Sequence, residues 1–141
     1  MAVATYNPKK VLLSWGPVLF EGYADGSMIE ATRNNQAVNL AIGSTGAGCR
    51  AISNDKSGTV TVNLLQSSLT NGLLNAQAII DEASGDAVYP LFLKDLSGLD
   101  AVVAESAWIQ KNADATYERE TANRTWIFET DALIVFVGGI P

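Results

Sequence analysis

The sequence predicts a mainly β protein, an antiparallel β-barrel or sandwich with one flanking α-helix. Short segments rich in Val, Ile, Thr and aromatic residues are separated by Gly and Pro turns, which is typical of strands. Only one stretch has a helical period. The chain has 141 residues and contains no linker or low-complexity tract. We therefore expect a single domain over residues 1–141.

The first half of the chain predicts a series of short strands. They are expected at residues 11–15, 18–23, 28–33, 37–42 and 59–64. The last of these alternates most cleanly, with Val60, Val62 and Leu64 on one side and threonines and an asparagine on the other. Such alternation indicates a strand with one buried and one solvated face. A glycine-rich loop, residues 43–48, interrupts the series.

The second half begins with the predicted helix. Leu69, Leu73, Ala76 and Ile80 fall at i, i+4, i+7 and i+11, a spacing typical of an amphipathic helix held in place by packing. Ser68 is placed to cap its start, and a glycine at position 85 to end it. Further strands are expected at residues 88–93, 101–110, 117–121 and 126–137. The last is apolar on both faces, which indicates a central strand or a face committed to a partner.

The composition excludes several kinds of chemistry. Nine Lys and Arg against fifteen Asp and Glu give a formal charge of -6, so the basic footprint of a nucleic-acid binder is absent. The chain has no histidine, which removes imidazole bases, histidine-dependent nucleophiles and histidine metal ligands. A single cysteine, Cys49, cannot form an intrachain disulfide. With no base partner it is expected to be a packed thiol. We expect no cofactor, no metal and no membrane anchor.

Charged residues make up only 17% of the chain, against about 25% in ordinary domains. Two interpretations remain open: a surface buried against other subunits, or a monomer surface rich in Thr, Asn and Ser. Carboxylates are the remaining candidates for catalysis, because glycosidases use such pairs. Asp81, Glu82 and Asp86 follow the helix, and Glu118 and Glu120 share a face of a predicted strand. Both clusters are more simply explained as solvated charges.

One run, residues 53–66, resembles the tail tube protein family of contractile-tailed bacteriophages. Further matching pieces lie at residues 6–11, 24–33, 93–96, 107–109, 118–126 and 136–139, so the resemblance covers nearly the whole chain. It implies a barrel-like subunit with one flanking helix, similar in fold to type VI secretion tube proteins. It also implies rings of six subunits that stack into a hollow tube inside a contractile sheath, through which the genome passes.

The resemblance implies a structural virion protein, assembled in the host bacterial cytoplasm, rather than an enzyme. Its partners would be further copies of the chain, sheath, baseplate and tail terminator proteins, and, transiently, double-stranded DNA. An acidic lumen would repel DNA phosphates and let the duplex slide. The candidate lumen-facing acids are Glu30, Glu105, Glu118, Glu120, Glu129 and Asp131. The candidate contact loop between rings or subunits is Gly43, Ser44, Thr45, Gly46, Ala47 and Gly48.

Three alternatives remain at this point. A tail completion or terminator protein would form one ring and never elongate. A β-barrel that binds a small ligand would need an apolar pocket and a stable monomer. A hydrolase with a carboxylate pair would lose its activity when Glu118 or Glu120 is replaced by Gln.

Overall fold

The computed structural model describes residues 3–139, and its regular elements are mainly strands. A short 3-10 helix at Pro8–Lys10 precedes them. The strands are β1 (Val11–Trp15), β2 (Val18–Leu19), β3 (Ile29–Arg33), β4 (Val38–Ile42), β5 (Gly48–Ile52), β6 (Gly58–Leu65), β7 (Tyr89–Asp95), β8 (Ala101–Lys111), β9 (Asn123–Thr130) and β10 (Leu133–Phe136). One α-helix, α1 (Thr70–Ser84), lies between β6 and β7.

Eight strands form one antiparallel sheet in the order β2-β1-β7-β8-β9-β6-β3, with β10 also paired to β8. The long strand β8 joins two halves of this sheet. Its residues 101–104 pair with β7 and β10, and its residues 107–111 pair with β9. The two halves fold over one core, where the rings of Trp15 on β1 and Phe128 on β9 lie 5.0 Å apart. The predicted antiparallel barrel or sandwich with one flanking helix is confirmed.

The core is built from alternate residues of the strands, as the pattern of β6 predicts. Val60, Val62 and Leu64 are buried, and the residues between them are half-buried. Two buried tryptophans also bring polar atoms into the interior. The indole N–H of Trp15 donates to the carbonyl oxygen of Ala107, and that of Trp126 donates to Oδ1 of Asn71, each at 2.9 Å. These bonds offset the cost of removing the indole N–H groups from water.

The C-terminal end of α1 matches the sequence prediction, and its start is shifted by one residue. Gly85 follows the last helical residue with φ +72° and donates its N–H to the carbonyl of Asp81 at 2.8 Å, a left-handed cap that favours glycine. At the start, Leu69 occupies the N-cap position. The hydroxyl of Ser68 nevertheless accepts the N–H of Thr70 at 3.3 Å, so its capping contribution comes from one position earlier.

The face of α1 that packs on the barrel differs from the apolar stripe in the sequence. The buried helix residues are Thr70, Leu74 and Ala78. In the stripe, by contrast, Leu69 is 79% exposed and Leu73 is 53% exposed. The helix is thus positioned by a buried threonine whose hydroxyl contacts Glu21, and by the hydrogen bond between Asn71 and Trp126. Hydrogen bonds of polar side chains therefore decide which face of the helix is buried, and the apolar periodicity contains no information about them.

Two predictions for the end of the chain are wrong. The strand expected at residues 117–121 is part of an irregular loop, residues 112–122. The contacts of the buried Arg124 account for this: Nη1 donates to the carbonyls of Asp114 and Thr116 at 3.3 and 3.1 Å. The side chain thus donates hydrogen bonds to backbone carbonyls of the loop, which would otherwise need a partner strand. The single strand expected at residues 126–137 is two strands, β9 and β10, which change partners at residues 131 and 132.

Candidate assembly surfaces

The outer side of the β3-β6-β9-β8 half of the sheet is polar. Residues directly opposite each other point to the same side, and the register pairs Glu30 with Thr61, and Glu129 with both Thr59 and Trp108. We call this surface the polar face; it comprises Glu30, Thr32, Thr59, Thr61, Asn63, Trp108, Lys111, Thr125, Ile127 and Glu129. Its carboxylates are unpaired within residues 3–139, whereas Lys111 lies 3.6 Å from Asp114 at the rim.

The polar face ends in a free strand edge at β3. Met28 accepts a backbone hydrogen bond from Asn63 at 2.8 Å, and Asn34 donates one to Ser57 at 3.1 Å. Given the β3–β6 register, Glu30 and Thr32 direct their backbone groups toward β6. The odd-numbered residues, Ala31 among them, direct theirs away from it. Within the described chain β3 pairs with β6 alone, so these groups lack a strand partner.

A second free edge lies at the opposite end of the polar face. Residues 108–111 of β8 pair with β9 on one side, but β7 pairs with β8 only as far as Ala107. The four strands alternate in direction. The edge of β3 and the edge of β8 at residues 108–111 therefore run antiparallel, and one can pair with the other on a second copy.

The glycine-rich loop lies at the tip of a hairpin that stands clear of the barrel. Strands β4 and β5 form a separate two-stranded sheet, and residues 32–52 are all exposed. Residues 43–47 make the turn, with Gly46 at φ +87°, and the sixth residue, Gly48, already belongs to β5. Cys49 is exposed, so the prediction of a packed thiol is wrong; the hairpin has no neighbour in the monomer to cover it.

One side of this hairpin is apolar. The register pairs Val38 with Ile52, Leu40 with Arg50, and Ile42 with Gly48, which places all of them on one side. We call this side the hairpin apolar face. Its apolar members are exposed, Leu40 by 66% and Ile52 by 73%. Large apolar side chains on a two-stranded hairpin mark an interaction surface more often than a free one.

A second unpartnered apolar surface lies on α1. We define the helix apolar face as Leu69, Leu73, Ala76, Ile79 and Ile80, all exposed and within about a third of the helix circumference at 100° per residue. The C-terminal end of α1 is acidic, with Asp81 and Glu82 in the helix and Asp86 just after it, and the last turn holds no basic residue. Carboxylates near a helix C-terminus are unfavourable because the last carbonyls already carry partial negative charge.

The six predicted lumen acids do not form one cluster. Glu30 and Glu129 share the polar face. Glu105 lines a cleft with Arg33 and Lys56. The other three are Glu118 and Glu120 in the loop of residues 112–122, and Asp131 between β9 and β10. The expectation that Glu118 and Glu120 share a strand face is therefore wrong.

Perturbed ionisable groups fix turns and fill the interior instead of forming a pair. Hydrogen bonds from the hydroxyl and N–H of Ser97, at 2.6 and 2.9 Å, lower the pKa of Asp95. Hydrogen bonds from Ser57 similarly lower the pKa of Asp55. Burial raises the pKa of Tyr23 to about 12. These groups lie apart on separate elements, and among residues 3–139 no cluster of three metal-ligating side chains is found.

No helix of the described residues has the length and apolar character needed to cross a membrane.

The sequence did not predict that the hairpin apolar face and the helix apolar face are exposed surfaces. The signal was present in the alternation of Val38, Leu40 and Ile42 and in the helical stripe, but periodicity identifies a side that packs and does not say against which molecule.

Comparison with known proteins assigns the arrangement to a family. A family model described as the bacteriophage PhiTE tail tube protein matches residues 15–138. Comparison with curated proteins gives no match. A chain of the sheath–tube complex of an extracellular contractile injection system, PVC, in its extended state is similar in fold, with TM-score 0.65 and 8% identity, over 94% of this chain and 91% of that one.

Two further structures with the same fold lie at the ends of such tubes. The sheath/tube terminator of the PVC system gives a TM-score of 0.60 at 9% identity, over 97% of this chain and 100% of that one. The tube terminating cap of the anti-feeding prophage gives a TM-score of 0.58 at 11% identity, over 98% of this chain and 95% of that one. At these identities the similarity shows the fold.

Proposed function

The chain belongs to the bacteriophage PhiTE tail tube protein family, and on that premise we propose that it is the tube subunit of a contractile phage tail. It is a structural virion protein that performs no reaction and assembles into stacked hexameric rings. The observation that supports assembly into rings is the pair of free, antiparallel strand edges at opposite ends of the polar face; the number of six subunits is taken from the resemblance to the tail tube family.

These two edges give a contact that repeats. When β3 of one subunit pairs with residues 108–111 of the next, each subunit uses a different surface on each side, and the contact closes into a ring by rotation. Six subunits with four strands each give 24 strands. At about 4.8 Å per strand their circumference is about 115 Å and the ring radius about 18 Å, before strand tilt widens it. Such a ring leaves room for a DNA duplex after side chains line its wall.

The polar face is the proposed lumen wall. When the edges pair, the sheet continues around the ring, and the polar faces of all subunits lie on the same side of this sheet. We assign that side to the inside of the ring. Glu30 and Glu129 then repeat six times around the lumen. The formal charge of -6 per chain sums to -36 per ring. Carboxylates and threonines there cannot replace the counterions condensed on the DNA phosphates, so the duplex is free to slide.

The other partners follow from the remaining surfaces. The hairpin with its tip at residues 43–48 extends beyond the barrel and is proposed to contact a neighbouring subunit or ring. The fold shared with a chain of the PVC sheath–tube complex supports a tube enclosed by a sheath. As parts of the same tail, the baseplate and a terminator contact the two ends of this tube, which assembles in the host cytoplasm before it enters the virion.

The experiment is electron microscopy with one substitution at the free edge and one beside it. Ala31→Pro removes an outward N–H of β3 and leaves the β3–β6 bonds intact, because proline is tolerated on the open side of an edge strand. Wild-type protein should form tubes in negative stain. The A31P variant should remain monomeric in sedimentation velocity, with a melting temperature close to that of dissociated wild-type subunits.

Thr32→Pro is the matched control, since the N–H of Thr32 points to β6. This substitution should lower the melting temperature of the monomer itself. Assembly of A31P into tubes as efficiently as wild type would contradict edge pairing. A wild-type chain that forms single rings and never elongates would be a terminator, and one that stays monomeric at high concentration would contradict the tube assignment.

A further inference from the structure

The hairpin apolar face and the helix apolar face are both large, exposed and unpartnered on the same chain. We propose that they cover each other between copies: the hairpin of one subunit packs on α1 of a neighbouring subunit, with Arg50 at the acidic end of the helix. The inference rests on the proposed function in one respect, that copies of this chain assemble. It adds which two surfaces are in contact and which charged side chains favour this contact over another.

The two surfaces match in length. Val38 to Ile42 extends over about 14 Å at 3.4 Å per residue. Leu69 to Ile80 extends over about 16 Å at 1.5 Å per residue. Both surfaces present large apolar side chains that can contact each other: Leu40 and Ile42 on the strand, and Leu73 and Ile80 on the helix. A strand pair laid along the helix can therefore bury both sets over their full length.

The charges of the two surfaces are complementary. Arg50 lies opposite Leu40 on the hairpin apolar face and makes no ion pair within residues 3–139. It is the sole charged side chain between residues 38 and 52. The helix carries Asp81 and Glu82 in its last turns, where backbone carbonyls already repel them. A cation from a neighbouring subunit would relieve this repulsion and interact favourably with the helix C-terminus.

A competing apolar surface lacks this complementarity. The outer side of the β2-β1-β7-β8 half exposes Leu19, Phe92 and Ile134, and it is also unpartnered in the monomer. Its charged members, however, are Lys94, which has the same sign as Arg50, and Glu105, which already lines a cleft with the cations Arg33 and Lys56. The hairpin would have to bury Arg50 near another cation there. Charge therefore selects the helix as the surface that receives the hairpin.

The test is crosslinking between subunits that carry one cysteine each. In a Cys49→Ala background, Leu40→Cys subunits are mixed with Leu73→Cys subunits, assembled and treated with a short bismaleimide. A crosslinked dimer must then join two chains, and we expect it in the mixture and not with either variant alone. The matched control is Phe92→Cys in place of Leu73→Cys, which should give little dimer.

The failure of this inference is distinguishable from failure of the proposed function. Normal tubes in which L40C crosslinks to F92C, or in which L73C gives no dimer and stays freely reactive, overturn the hairpin–helix contact and leave the tube function intact. The second result would assign the helix to another protein, such as a sheath. A wild-type chain that remains monomeric overturns the proposed function first.

Charge reversal gives an independent readout. Arg50→Glu should raise the subunit concentration needed for assembly by about tenfold, the change expected from losing one close interfacial charge pair whose coupling is net favourable. Adding Glu82→Lys to R50E should restore much of the loss. Lys94→Glu changes a charge of the competing surface and should leave assembly near wild type. If K94E impairs assembly and E82K fails to rescue R50E, the proposed pairing is wrong.

Discussion

Replacing two adjacent leucines of α1 separates the helix's contribution to the monomer from its contribution to assembly. Leu74 has no exposed surface, whereas Leu73 is 53% exposed on the side of the helix that faces away from the barrel. Leu74→Ala removes buried methyl groups and leaves a cavity, so it should cost about 3 kcal/mol of unfolding free energy, within the range for buried leucines. Leu73→Ala removes a side chain that is half in water already and should cost less than about 1 kcal/mol.

These free energies are measured on the monomer, because assembly would stabilise the folded state by mass action. The A31P background holds the chain monomeric in the proposed scheme. Thermal unfolding followed by circular dichroism should show a melting temperature lowered by about 10 °C for L74A and by only a few degrees for L73A. In the wild-type background L73A should instead raise the subunit concentration needed for tube formation.

Equal destabilisation by the two substitutions would contradict this orientation of α1. Equal values would mean that the apolar stripe predicted from the sequence does pack on the barrel, and that the helix is rotated from the observed orientation. Ile79, which is 67% exposed on the helix apolar face, provides a second exposed site. Ile79→Ala should therefore resemble L73A in both the monomeric and the wild-type background.

Three further predictions concern the monomer. The buried hydroxyl of Tyr23 has no hydrogen-bond partner within residues 3–139, so Tyr23→Phe should raise the unfolding free energy by about 1 kcal/mol. Because the folded-state pKa of Tyr23 is about 12 and the unfolded value is 10.0, wild type should lose stability as the pH rises through this interval, and Y23F should lose less in an alkaline melting series. Gly58→Ala should destabilise by about 1–3 kcal/mol in denaturant titrations, because the added Cβ would overlap Leu133 and lie 2.9 Å from the Thr32 carbonyl. Arg124→Ala should release the loop of residues 112–122 and speed limited proteolysis there, whereas unchanged cleavage would show that this loop holds without its hydrogen bonds.

The sequence predicted what depends on local pattern. Alternation on β6 correctly assigned Val60, Val62 and Leu64 to the core, and Gly85 correctly ended the helix. These features are decided within a few residues, by side-chain period and by the conformational freedom of one glycine. The fold class followed because strands and one helix could be counted without knowing their pairing.

The features it missed depend on distant residues. The rotation of α1 is set by Thr70 and by the bond from Trp126 to Asn71, 55 positions apart. The loop before β9 is held by the Arg124 side chain. Neither contact has a periodic signal. The apolar stripe predicted the wrong buried face of α1 for a physical reason. In a subunit with several interfaces, an apolar side can pack against another chain as well as against its own core.

Two of the six acids predicted to line the lumen share one face of the sheet. Glu30 and Glu129 come together because β3, β6 and β9 are neighbours in the sheet, an order that the sequence does not disclose. Lumen exposure stays a prediction for all six acids. Loop residues such as Glu118 and Glu120 have no register to place them, and Glu105 lies beside the cations Arg33 and Lys56.

The proposal that the chain completes its sheet with identical neighbours around a polar, acidic channel can be checked by cryo-electron microscopy of the assembled protein. The map should show β3 of each subunit hydrogen-bonded to residues 108–111 of the next, with Glu30 and Glu129 on the inner wall. A tube whose β3 edge faces solvent, or whose inner wall is lined by lysine and arginine, would contradict it.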